Sequence, residues 1–337
     1  MEPVLEPGQV AGLRIVVMGT GPFAVPMFRA LLASPHRVVA LVTRPDKSAP
    51  GRRAPVNPMR AAAEAAGVAV TAPERINDPA AIDELVALAP DLFVVCDYGQ
   101  ILAPAVLEVA PLGGINLHGS LLPRHRGAAP VQWAILAGDE VTGACCIHMT
   151  PQLDGGSVIN ARSTPIGATE TAAQLEARLA AFGPELVLDA IERVAAPHRP
   201  AGAVGTPQDP ALVTKAPRLS KADGIVDWNL AAARIARMPR GLDPWPRATT
   251  FLHAAGVEVG AGPTRLVLEE VVEGPAAAPG TFAGGIVVAD DAGVVVACGD
   301  GGTVIIRRVV PEGRRSMAVA EFLRGRFLGA NARMDRS

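Results

Sequence analysis

From about residue 13 to residue 195 the chain alternates short apolar runs with Ala- and Leu-rich stretches of helical length. This alternation restricts the fold more than any other feature. Residues 13–18, 38–43, 68–70, 92–96 and 114–118 read as strands, and residues 22–33, 58–66, 79–89 and 130–137 as the helices between them. Extended segments follow at 142–149 and 157–164. An Ala/Leu/Glu-rich helical stretch then covers 171–194, interrupted near Gly183-Pro184. Strands alternating with helices of these lengths predict an α/β domain, Rossmann-like, built on a doubly wound and mostly parallel sheet.

Residues 195–217 are rich in Pro, Gly and Ala and read as a linker. Beyond a short helix near 231–237, the apolar runs 265–272, 284–289, 294–298 and 303–310 are separated by Gly and acidic turns. That spacing predicts a small antiparallel β-barrel, closed by a helix over 319–327. The expected division is therefore 1–200 as the first domain, 201–217 as linker and 218–330 as the second, which suits a chain of 337 residues.

With 49% hydrophobic and 19% charged residues the chain is globular, and its 4% aromatic content leaves burial to Ala, Val and Leu. No apolar run approaches the roughly 20 residues that span a bilayer. The acidic, Pro-containing start Met1-Glu2-Pro3-Val4-Leu5-Glu6-Pro7 differs from a signal or transit peptide. A cytoplasmic protein is expected. Cys96, Cys145, Cys146 and Cys298 lie in apolar runs without a Cys-x-x-Cys pair, so buried free thiols are expected and no metal site. Net charge is −2, but residues 301–337 carry eight Arg against Glu312, Glu321 and Asp335, a local balance of +5. Such a cationic face, with Arg307-Arg308 in it, suits phosphates even on a slightly acidic protein.

The chemistry concentrates at Gly114-Ile115-Asn116-Leu117-His118, where Asn116 and His118 stand two apart at the end of an apolar run. On a strand both side chains share one face. An amide donor and an imidazole facing one space suit a reaction in which an oxygen becomes negative while a nitrogen exchanges a proton. Asp154, in Leu153-Asp154-Gly155-Gly156, is a carboxylate from a later turn that fixes the imidazole tautomer and favours its protonated form. The alternatives on these residues alone are a structural His at a strand end and an Asp serving its turn. The irregular loop 119–130 directly follows the strand, where open α/β sheets place ligands.

The whole run Asn116-Leu117-His118-Gly119-Ser120-Leu121-Leu122-Pro123-Arg124-His125-Arg126-Gly127-Ala128-Ala129-Pro130 resembles the active-site signature of the folate-dependent formyltransferases, most of all the members that act on methionyl-tRNA. Gly19-Thr20-Gly21-Pro22-Phe23-Ala24, Thr43-Arg44-Pro45-Asp46, Tyr98-Gly99-Gln100-Ile101-Leu102, Lys215-Ala216-Pro217-Arg218-Leu219-Ser220-Lys221, Asp227-Trp228 and Asp243-Pro244-Trp245-Pro246 extend the likeness over nearly the whole length. The resemblance implies a formyltransferase fold with an OB-like second domain that binds tRNA. It implies 10-formyltetrahydrofolate as donor and initiator Met-tRNA as acceptor. Asn116, His118 and Asp154 are then the catalytic trio, and Ser120, Leu121, Leu122 and Pro123 the folate contacts. Lys47, Arg52 and Arg53, in a loop, and Arg307 and Arg308 are the tRNA contacts, and the protein acts as a monomer without a metal.

The chain departs from the family pattern at Gly21, where many members have Pro, at Asp97, where many have Ala, and at Gly155 and Ser157 in the turn of Asp154. Two rivals remain. One is a sibling formyltransferase acting on a small amine, such as a sugar nucleotide or glycinamide ribonucleotide. The other is an NAD(P)-dependent oxidoreductase, because Gly19–Ala24 satisfies G-x-G-x-x-A with Asp46 some twenty residues on. That reading leaves 116–130 and Asp154 without a role.

Overall fold

The computed structural model describes residues 12–46, 56–196, 204–253, 262–324, 328 and 332–337. In chain order its elements are β1 (Arg14–Gly19), α1 (Val25–Leu32), β2 (Arg37–Val42), α2 (Pro58–Ala65), β3 (Val70–Thr71), α3 (Pro79–Ala87), β4 (Leu92–Cys96), α4 (Pro104–Leu107), β5 (Gly114–His118), α5 (Pro130–Ala137), β6 (Val141–His148), β7 (Val158–Pro165), α6 (Ala172–Ala180) and α7 (Gly183–Ala195). There follow α8 (Ala232–Gly241), β8 (Thr249–His253), β9 (Thr264–Glu273), β10 (Ile286–Asp290), β11 (Gly293–Ala297), β12 (Thr303–Pro311), β13 (Met317–Ala318), α9 (Val319–Leu323) and β14 (Arg333–Asp335). They form two compact units. One gathers Met1–Pro130, Val141–Pro165 and Glu176–Pro217; the other gathers Val131–Glu140, Ile166–Leu175 and Arg218–Ser337.

In the first unit the sheet order is β3-β2-β1-β4-β5-β6-β7. The pairs from β3 to β5 are parallel, and β5–β6 and β6–β7 are antiparallel. The apolar runs are continuous because the central strands are buried on both faces. Val16, Met18, Phe93 and Val95 join a buried cluster with Leu85 of α3 and Val106 and Leu107 of α4. Ile15, Val17, Leu92 and Val94, the alternate residues, are equally buried. Helix starts follow the local chemistry: Pro58 opens α2 behind Asn57, whose side-chain oxygen accepts from the Arg60 amide at 3.0 Å. Register sets Gly19 against Cys96 and Val95 against Asn116, so the carboxyl ends of β1, β4 and β5 lie side by side.

The stretch expected as a linker is not a passive strap where it is described. Thr206 exchanges backbone hydrogen bonds with Val158, and the Ala216 amide donates to the Arg126 carbonyl at 2.7 Å.

In the second unit the strands run β10-β11-β12-β9-β8-β14, with β13 beside β12. An antiparallel bridge between Gly285 and Arg333 brings the two ends of this series together, giving a nearly closed barrel. Trp228 is buried and donates through its indole to Thr250 of β8, whose hydroxyl donates to the Asp335 carbonyl of β14. Helix α8 extends further than expected and carries Pro239 inside it.

Candidate active site

Asn116 and His118 occupy alternate positions of β5, on the sheet face of Phe93 and Val95. His118 is buried, with Nε2 3.0 Å from the His125 carbonyl oxygen and Nδ1 3.8 Å from Asp154 Oδ2. Both ring nitrogens therefore face acceptors. Only Nε2 is within hydrogen-bond distance of its acceptor; Nδ1 at 3.8 Å makes no hydrogen bond to the carboxylate and keeps a position from which to donate elsewhere. The shorter contact that orients the ring is the His125 carbonyl; Asp154 supplies charge from ion-pair distance. Among the described residues the Asn116 side chain, half-buried, has no hydrogen-bond partner in the protein. Its two N–H donors are open on the face it shares with His118.

Left-handed backbone, two hydrogen bonds and two glycines bring Asp154 and His125 into place. His125 and Asp154 are both in the left-handed region, at φ 61° and 48°. The His125 amide donates to Thr214 Oγ1 at 2.8 Å, which turns its carbonyl toward His118. Asp154 Oδ2 accepts from the Gly127 amide at 2.8 Å. Gly127 has φ 133°, and a Cβ there would stand 2.3 Å from the Ala216 carbonyl oxygen. At Gly156 a Cβ would stand 1.9 Å from the His148 carbonyl oxygen. Only glycine fits either position.

In the loop after β5 the Ser120 hydroxyl donates to the Arg124 carbonyl at 2.7 Å, closing a tight turn whose Leu122-Pro123 peptide is cis. The Leu122 amide is directed at the Cys145 sulfur, and burial pushes that thiol up to about 12. Leu121 packs by Gly143 of β6, and Leu122 and Pro123 are half-buried. The Ser120 hydroxyl is thus spent within the protein, while Leu121, Leu122 and Pro123 offer an apolar wall.

Comparison with known proteins shows the family of this chain. Residues 13–191 match the formyl transferase family and residues 218–326 the formyl transferase C-terminal domain. A methionyl-tRNA formyltransferase of Rhodopirellula baltica is 44% identical over 98% of this chain and 99% of its own. One from Desulfotalea psychrophila is 39% identical over 94% of each. The chain belongs to the methionyl-tRNA formyltransferase family. It is accordingly a formyltransferase enzyme. Its fold is also that of an N-formyltransferase from Helicobacter canadensis, solved with folinic acid and dTDP-3-aminofucose, at TM-score 0.61 and 14% identity over 87% of this chain and 98% of that one.

Membership in this family leaves the dinucleotide pattern to be explained locally. Asp46 lies four residues past the end of β2 and pairs with Arg60 at 3.2 Å. A Cβ on Gly21 would stand 1.7 Å from Asp97 Oδ2, so the carboxylate that departs from the family pattern lies directly on the glycine that does so too. The turn that would cradle a pyrophosphate faces an acidic side chain instead. Among the described residues there is no group of three His, Cys, Asp or Glu able to hold a metal, and no helix is long and apolar enough to cross a membrane.

Of the residues expected to meet tRNA, Lys47, Arg52 and Arg53 lie outside the described residues. Arg307 and Arg308 are both exposed on β12, although neighbours on a strand face opposite ways, because register shifts against β9 at Ile306/Arg308 and Arg308/Val309. Arg307 is 3.6 Å from Glu270, and Arg308 donates to the Ser316 hydroxyl at 3.1 Å. Sequence reading missed Thr214 and Gln208. Their one signal is polar side chains in a stretch rich in Pro, Gly and Ala.

Proposed function

We propose that this chain transfers the formyl group of 10-formyltetrahydrofolate to the α-amine of methionine on initiator tRNA, giving formylmethionyl-tRNA for translation initiation. The observation that carries the proposal is the open Asn116 amide on the strand face of His118, with His118 set between Asp154 and the His125 carbonyl. The neutral amine attacks the formyl carbon, a C–N bond forms and the carbonyl oxygen becomes anionic. Asn116 donates to that oxyanion, and protonated His118 adds a charge-assisted donor. Collapse restores the carbonyl and breaks the bond to the folate nitrogen. His118 supplies the proton that nitrogen takes up, and the amine releases its own to water.

Leu121, Leu122 and Pro123 would hold the folate ring system in an apolar slot whose turn Ser120 closes. Lys47, Arg52, Arg53, Arg307 and Arg308 would neutralise tRNA phosphates, so affinity falls as salt rises. On this proposal residues 1–200 are catalytic, 201–217 connect, and the barrel over 218–330 binds tRNA. The protein works as a cytoplasmic monomer with no metal. Family relatives that match almost the whole chain favour tRNA over a small amine as acceptor.

The test mixes purified protein and labelled formyl donor with charged initiator tRNA, charged elongator tRNA or glycinamide ribonucleotide. Transfer to the initiator alone is expected. Equal transfer to the small amine would overturn the acceptor assignment.

A further inference from the structure

We infer that Gln208 is a positioning residue for this reaction, acting through Asp154. Its side-chain nitrogen donates to the carbonyls of Asp154 at 2.7 Å and Gly156 at 2.8 Å. Its side-chain oxygen accepts from Arg126 Nε at 3.0 Å and Nη2 at 2.7 Å. Both N–H donors and both lone pairs of the amide are used. Reversing the amide would set donors against the guanidinium and an oxygen against two carbonyls, so its orientation is dictated.

The contacts form a closed ring. The Arg126 guanidinium holds Gln208, Gln208 holds the backbone of Asp154, and the Asp154 carboxylate accepts from Gly127, the residue after Arg126. Arg126 is itself fixed, its amide donating to the Thr214 carbonyl at 2.9 Å and its carbonyl accepting from Ala216 at 2.7 Å. Gln208 thereby pins both sides of Gly155, in a turn where Asp154 stands at φ 48°. Asp154 faces His118 across 3.8 Å, a distance at which a small tilt of the turn changes both distance and direction of the carboxylate. Gly155 carries no side chain, and Gln208 ties the turn down from outside through the carbonyls on either side of it.

This inference rests on the catalytic trio proposed above, and the test separates the two. Gln208→Met keeps length and removes all four hydrogen bonds. In the full chain, turnover with saturating donor and charged initiator tRNA is expected to fall about 10- to 100-fold, with both KM values within about twofold. Arg126→Met, which releases the amide from the other side, is expected to give a similar loss and serves if Gln208→Met does not fold. In an Asp154→Asn background, Gln208→Met is expected to change turnover less than about twofold, because the group it positions no longer carries charge. Parent turnover in a folded Gln208→Met variant would overturn the inference. So would the same fractional loss in the Asp154→Asn background, which marks a general structural effect. Parent turnover in Asp154→Asn alone would instead reject the trio.

Discussion

Replacing Asp154 by Asn removes one charge and little else. The carboxylate accepts from the Gly127 amide at 2.8 Å, and the Asn carbonyl oxygen can accept the same bond. The turn keeps its shape through the backbone contacts of Gln208, so the melting temperature is expected to stay near that of the parent. What disappears is the attraction between Asp154 and a protonated His118 at 3.8 Å. Opposite charges near 4 Å interact by about 4 kcal/mol at an effective dielectric of about 20. The Asp154 side chain is only 11% exposed, so solvent screening removes a minor part. If most of that attraction is felt when His118 carries its second proton in the transition state, turnover drops about 10²- to 10³-fold. Single-turnover formyl transfer at saturating donor and acceptor measures this directly. A loss below about tenfold, in a variant that melts like the parent, would refute the electrostatic role of Asp154.

Gly127→Ala should lower both melting temperature and turnover, because a methyl group there meets the Ala216 carbonyl at 2.3 Å and displaces the amide that holds Asp154; thermal melts and single-turnover rates check it. Arg307→Ala with Arg308→Ala should weaken tRNA binding and flatten its dependence on salt, as filter binding at several salt concentrations would read; an unchanged slope removes β12 from the interface. Burial holds the Cys145 thiol at about 12 against an ordinary 9, so the folded state keeps a proton the unfolded state loses. Its contribution to stability is full below pH 9 and is lost as pH rises toward 12, and denaturant unfolding of Cys145→Ala should show a shallower decline over that range.

The α/β layer was legible because central parallel strands bury both faces, which writes 14–19 and 92–96 as unbroken apolar runs. Asn116 and His118 were legible because strand period alone sets them on one face. The partners of His118 were not. The His125 carbonyl reaches it only because His125 adopts φ 61°, and the amide that holds Asp154 comes from a glycine wedged against Ala216. These are long-range backbone approaches with no local pattern. The same holds for 204–217, whose Pro- and Gly-rich composition reads as a linker although Gln208, Thr214 and Ala216 bind the active-site loop and turn. Strands β8 and β14 escaped notice because one lies in a short polar-apolar run and the other has three residues; the Gly285–Arg333 bridge that nearly closes the barrel gives them meaning. Exposure of both Arg307 and Arg308 depends on a bulge no sequence period announces.

The most direct measurement compares Asn116→Ala, His118→Ala, Asp154→Asn and the triple variant in single-turnover formyl transfer to charged initiator tRNA. Groups that stabilise one transition state around one carbon act as a unit, so the triple variant should be no more than about tenfold slower than the slowest single variant. A triple loss equal to the product of three independent losses, or any single variant at the parent rate, would show that the three side chains do not share a reacting centre.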